Sequence, residues 1–260
     1  MKIDLLGAIE LTLSAAIAAS ALAIGFGDTT VRRVRLAAAL GVWFVVVAAL
    51  AATEAFHYQR GIGVSGLGLA VVLPIAILSL TVLRSARLRQ ALDTIPLSLL
   101  IGVNAVRVLG VMFLLLYLAG RLPAPFAPVA GWGDIIVGAT ALPVAWLAHR
   151  RGRDARSAIL VWNVFGLADL IAAIGLGVVS SPGPLHLIAP EPGSAIMATL
   201  PWMLILAFLV PLLASTHLAV FYRLLRIDRG SKAGQTPSPA LAGGAMCRSR
   251  VPVKPVPQDR

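Results

Sequence analysis

The chain has 260 residues, 58% of them apolar and 13% charged, with a mean hydropathy of +0.89. Soluble domains run at about 45–50% apolar and about 25% charged, so this composition excludes most soluble enzyme classes. Cys247 is the only cysteine, which excludes an intrachain disulfide framework and a Cys-ligated metal. The formal charge of +11 would raise nucleic acid as a partner in a soluble chain, but here its placement points elsewhere.

Seven apolar stretches follow one another, at about 4–26, 36–56, 64–83, 95–119, 130–148, 158–179 and 196–221. At about 1.5 Å rise per residue each one matches a hydrocarbon slab of about 30 Å. The predicted fold is therefore an all-α integral membrane protein with seven transmembrane helices over residues 1–229. Residues 230–260, rich in Ser, Pro, Gly and Ala with scattered charge, are expected to form a disordered basic tail.

The first stretch follows a single lysine and is interrupted by Asp4 and Glu10, which favours a retained span over a cleaved signal peptide. Ala15, Ala19 and Ala23 recur at spacing four, as on a close-packed membrane helix. The second stretch carries Glu54 near its end, and His57 follows at a spacing that puts both on one helical face. Gly61, Gly63, Gly66 and Gly68 open the third. Asp93 and Thr94 read as amino-terminal caps of the fourth, with Pro96 in its first turn.

Arg107 falls at the centre of the fourth stretch, and Asn104, three residues earlier, shares its face. Asp134 lies four residues inside the fifth, after the close-packing signal Gly131-Trp132-Gly133. Asp169 lies eleven residues into the sixth; Trp162 shares its face, whereas Asn163 sits about 120° away. The outer turn at 179–195 contains Pro182, Pro184, Pro190, Pro192, His186 and Glu191 and reads as a plain connection. In the seventh stretch Pro201 and Pro211 mark expected bends, and His217 is placed near the inner end as an interfacial histidine.

Lys and Arg alternate between the two sides. The first, third and fifth connections carry Arg32, Arg33 and Arg35, then Arg84, Arg87 and Arg89, then Arg150, Arg151, Arg153 and Arg156, and the segment after the last stretch carries more. The opposite side carries only Lys2, Arg60 and Arg121. By the positive-inside rule the amino terminus lies outside and the carboxyl terminus in the cytoplasm of a multi-pass protein of the cell (inner) membrane. The basic residues then contact anionic lipids on the cytoplasmic side, and no aromatic interleaving supports nucleic-acid binding.

A charge at the bilayer centre costs about 2.5–3.5 kcal/mol on insertion scales, so charged residues inside spans face a bundle interior or a wet cavity. Arg107 and Asp169 lie at similar depth and are expected to form a buried ion pair. Glu10, Glu54 and Asp134 fall in the outer half of the membrane by this orientation. With His57 and Asn104 they outline an outward-facing polar cavity floored by Arg107 and Asp169, suited to binding or transporting a small solute or ion.

Two other readings stand beside it. Glu54 and His57 are the acid/base pair of a membrane-embedded enzyme acting on a lipid-like substrate, or, with Glu10 and Asp134, the ligands of a metal. Alternatively the charges pair internally or with another chain, in a structural subunit of a homo- or hetero-oligomer. No lysine lies in any stretch, so a retinal Schiff base is excluded.

Overall fold

The computed structural model describes residues 2–26, 29–58, 61–183, 185–188 and 193–233. Among these the chain is helical without strands, and seven helices are long and apolar enough to cross a membrane. The seven long apolar helices expected from the sequence are thus present among the described residues. The expected disorder of the tail beyond residue 233, with Cys247, lies outside the described residues, as do Arg60, Pro184, Pro190, Glu191 and Pro192 of the connections.

Helix α1 (Lys2–Phe26) buries one narrow face, Gly7, Leu11, Ser14, Ala15, Ala18, Leu22 and Ala23. Helix α2 (Thr30–Ala52) starts at Thr29, whose hydroxyl accepts from Arg32 N at 3.4 Å. It buries only Val47 and Ala51, while Val42, Val45, Val46 and Leu50 are exposed. Helix α3 (Gly63–Arg84) is similarly apolar on its exposed side. A helix that is apolar all round and only partly covered by protein is suited to lipid.

Two expectations about boundaries are corrected. The third connection is not a plain turn: residues Ala86–Thr94 form a short amphipathic helix, α4, capped by Ser85, whose hydroxyl accepts from Leu88 N at 3.3 Å. Asp93 and Thr94 therefore close α4 instead of capping the fourth span, and Pro96 occupies that cap position. Arg89 bonds back to the carbonyls of Val82 and Leu83, and Arg223 Nη1 donates to the carbonyls of Leu92 and Ile95, each at 2.7 Å. These arginines satisfy helix-end acceptors that would otherwise lack a donor.

The seventh span also differs. Ala195–Ala198 is a short 3₁₀ turn, and the membrane-length helix runs Ile205–Arg226, beginning later than residue 196. Its first turn, Ile205–Leu209, is π-helical and leads into α9 (Val210–Ala233). Pro211 has no N–H to return to the carbonyl of Ala207, which removes the local α-helical bond at this point.

The fourth span is irregular too. Helix α5 (Leu97–Gly102) passes into a 3₁₀ stretch, Val103–Gly110, and then into α6 (Val111–Leu118). Such stretches rarely exceed three or four residues, so eight in one span reflect a demand of the surroundings. The demand is close contact with α7 (Phe126–Arg151). A Cβ on Gly138 would meet the backbone of Arg107 and Val108, and one on Gly131 would lie 3.0 Å from the carbonyl oxygen of Gly110. Helix α8 (Arg156–Val179) also packs against α7.

Trp132 and Trp146 project from the exposed face of α7, 58% and 61% exposed, with Arg150 stacked on the second. Fourteen residues of helix separate them, about 21 Å along the axis. The contact at Gly138 gives a test by thermal unfolding in detergent. Gly138→Ala is expected to destabilise by about 1–3 kcal/mol through overpacking, whereas Gly175→Ala, where a Cβ meets nothing within 4 Å, leaves the midpoint unchanged.

Candidate functional site

At the centre of the bundle the 3₁₀ stretch presents Arg107, only 1% exposed, to three other spans. Nε donates to Asp134 Oδ1 on α7 at 2.6 Å, and Nη2 pairs with Asp169 Oδ2 on α8. Nη1 donates to the carbonyl of Gly166 on α8 at 3.0 Å and lies 3.2 Å from Nε2 of His217 on α9. A planar guanidinium with donors fanned around its rim suits such convergent acceptors, where a lysine ammonium would not.

Glycines make room for this arrangement. A Cβ on Gly133 would collide with the Asp169 carboxylate, and one on Gly166 would lie 2.5 Å from the His217 ring. The local sequence Gly131-Trp132-Gly133-Asp134 thus does two things on one helix: it thins the contact surface and delivers a carboxylate to the resulting gap.

The ring of His217 has assignable partners. A guanidinium only donates, so Nε2 accepts from Arg107, and the ring proton sits on Nδ1, which donates to Asn163 Oδ1 at 2.8 Å. Asn163 Nδ2 in turn donates to the His217 carbonyl at 3.1 Å. Trp162 packs on the same ring with centroids 5.2 Å apart and donates through Nε1 to Thr140. Asn104, one 3₁₀ turn before Arg107, donates to Thr216 Oγ1 at 3.0 Å. Polar groups from the fourth, sixth and seventh spans therefore continue past Arg107 towards the arginine-rich ends of those helices.

The sequence expectation of an Arg107–Asp169 contact agrees with this geometry. The expected depth of Asp134 does not: α7 begins at Phe126, four residues before the anticipated start, which carries Asp134 from an outer rim down to Arg107. His217 moves inward for the matching reason, since the seventh span extends to Arg226 and leaves the ring fully buried. Asn163 faces a different neighbour from Asp169, in keeping with its angular offset. The signal that would have located His217 is Pro201, which delays the start of the last span and shifts its centre towards residue 216.

Other candidates stand apart from Arg107. Glu10 is half-buried on α1, with Oε2 buried and unpartnered. Glu54 lies beyond the end of α2 in a turn with φ 58°, and its carbonyl accepts from His57 N at 2.9 Å. The expected Glu54–His57 pair on one helical face is thereby corrected, because α2 stops at Ala52. Among the described residues no three His, Cys, Asp or Glu side chains form a metal-binding group, so the four-residue ligand set is not assembled.

The cavity that reaches Arg107 and Asp134 is small, about 20 Å³, and otherwise walled by Leu109, Leu170, Ile205, Leu209, Val210 and Leu213. That is room for one water molecule. Its wall includes residues of both irregular stretches, the 3₁₀ turns of the fourth span and the π turn of the seventh.

The sequence profile of a family described as a domain of unknown function, DUF8737, matches residues 64–225. The matched region contains Asn104, Arg107, Asp134, Asn163, Asp169 and His217, whereas Glu10, Glu54 and His57 precede it. No curated protein and no solved structure matches the chain.

Removing Arg107 leaves two carboxylates buried without their cation. Arg107→Ala is expected to lower stability in detergent by about 3–5 kcal/mol, and adding Asp134→Asn and Asp169→Asn to recover part of it. An unchanged melting midpoint in the single variant would count against this account of the core.

Proposed function

We propose, for a chain that belongs to the DUF8737 family, that the Arg107 cluster is the working centre of a membrane transport protein that binds and releases a small cation. The observation that supports this most is the charge count. One guanidinium faces two carboxylates, Asp134 and Asp169, in a buried mid-span position. With His217 neutral the group has a surplus of one negative charge, and an uncompensated buried charge costs several kcal/mol. One further cation equivalent, a proton or a monovalent ion, completes it.

The expected outward-facing solute cavity is narrowed by this reading. Space for a single water beside Asp134 suits an ion more than an organic solute. The irregular turns of the fourth and seventh spans border that space, and such turns are the places where a helix changes register at least cost. Opening is assigned to them, with the amino terminus outside and the arginine-rich connections in the cytoplasm of a cell membrane.

A second reading, in which the network only locks the bundle, is favoured by the near-complete burial of Arg107. The two separate in proteoliposomes. Under an imposed membrane potential the wild-type protein should carry cation current, which is lost in Asp134→Asn and in Asp169→Asn while each variant still elutes as a single species. Absence of current in the wild type, or equal current in wild type and both variants, would overturn the transport reading.

A further inference from the structure

We infer that the cation is a proton and that it has two alternative seats on either side of Arg107, the Asp134–Asp169 carboxylate pair and Nε2 of His217. This inference rests on the cluster reading above and adds to it the identity of the ion and the second seat.

The identity follows from the surroundings of the cavity. A metal cation stripped of water requires a shell of several oxygen ligands. The wall beside Asp134 is aliphatic apart from that carboxylate and the guanidinium of Arg107, which repels a metal cation. A proton needs neither shell nor volume, only one oxygen or nitrogen lone pair.

The second seat follows from the histidine. Nδ1 is committed as a donor to Asn163 Oδ1, so the ring's one free lone pair is on Nε2, and that pair points at Nη1 of Arg107. The charged group facing the ring is Arg107 from the fourth span. Asn163, Trp162 and Gly166 face it from α8 as neutral groups, and the two carboxylates lie across the guanidinium. The seats also differ in depth. Counted from the face where α8 ends at Val179 and the seventh span begins at Ile205, Asp169 is ten residues deep and His217 twelve, about 3 Å further.

Moving the proton between seats leaves the charge of the cluster unchanged. With the proton on a carboxylate the group holds Arg⁺, one carboxylate, one carboxylic acid and neutral His217. With the proton on the ring it holds Arg⁺, HisH⁺ and two carboxylates. Both sum to zero, so neither form buries a net charge. In the transfer the carboxylic O–H bond breaks with its electron pair left on oxygen, and an N–H bond forms from the Nε2 lone pair. An imidazolium cannot accept from Nη1, so the second form requires Arg107 to withdraw from the ring towards the carboxylates. Proton position and the contact between the fourth and seventh spans are thereby coupled.

The test uses the full chain in proteoliposomes with a trapped pH dye and a potassium–valinomycin potential, with and without external sodium. Expected is proton uptake indifferent to sodium, lost in Asp169→Asn and in His217→Gln, whose amide can accept from Arg107 but cannot carry the proton. Uptake that requires sodium would overturn the proton assignment and leave the cation-binding cluster standing. Wild-type uptake in His217→Gln would overturn the second seat alone, and no cation current of any kind in the wild type would overturn the cluster reading and this one together. Should His217→Gln fail to fold, the variant His57→Gln/His149→Gln/His186→Gln keeps His217 as the chain's one histidine. Its ¹⁵N spectrum should show the Nδ1–H tautomer at rest and a doubly protonated ring on acidification; an Nε2–H tautomer, or a ring that never gains the proton, would overturn the assignment.

Discussion

A guanidinium in the middle of a membrane bundle sets the conditions that the rest of this structure meets. Its desolvation is offset only by convergent acceptors. Arg107 has them from three spans: carboxylates on α7 and α8, the carbonyl of Gly166 and the ring of His217. Each of those groups has to come within hydrogen-bonding distance of one side chain. This accounts for the small residues around it, since Gly133 and Gly166 leave space where any Cβ would intrude. It also accounts for the eight-residue 3₁₀ stretch, which carries Arg107 along a backbone pressed against Gly131 and Gly138.

The bundle divides accordingly. The fourth to seventh spans supply the charge cluster and are the more deeply covered, whereas α2 and α3 bury few of their residues. Of the first three helices, α1 and α2 precede the region matched by the family profile, residues 64–225, and α3 opens it. The Arg107 cluster and both irregular helical stretches fall in the matched part. At the other end of α1, Asp4 accepts from Trp202 at 3.1 Å and pairs with Arg121 at 2.9 Å, fixing the first span to the segment that precedes the last one.

Much of this was legible in the sequence because the bilayer imposes a length and a polarity that composition records directly. The seven spans follow from apolar run length, and the partnership of Arg107 with Asp169 follows from matched depth and the cost of leaving either alone. The rest failed where depth depended on a boundary. Asp134 and His217 were displaced outward and inward of the centre because α7 starts at Phe126 and the last span starts after Pro201, and a shift of four residues is about 6 Å of depth. Glu54 and His57 illustrate a different failure: periodicity places them on one face only if the helix continues, and a left-handed turn at Glu54 ends it. The short helix α4 is not legible in the sequence, because its arginines read as a charged connection and its pattern emerges only when Leu88, Ala91, Leu92 and Ile95 are taken together with the acceptors that Arg223 satisfies.

The two indoles on α7 have a bearing on where all of this sits. Trp132 and Trp146 stand exposed on a helix that contains Pro143 between them, and the surrounding lipid has to accommodate both rings. Because Asp134 follows Trp132 by two residues on that helix, whatever holds the first ring in the lipid acts close to the carboxylate that pairs with Arg107. The bilayer therefore bears on the charge cluster through α7 as well as through the hydrocarbon that surrounds the helices.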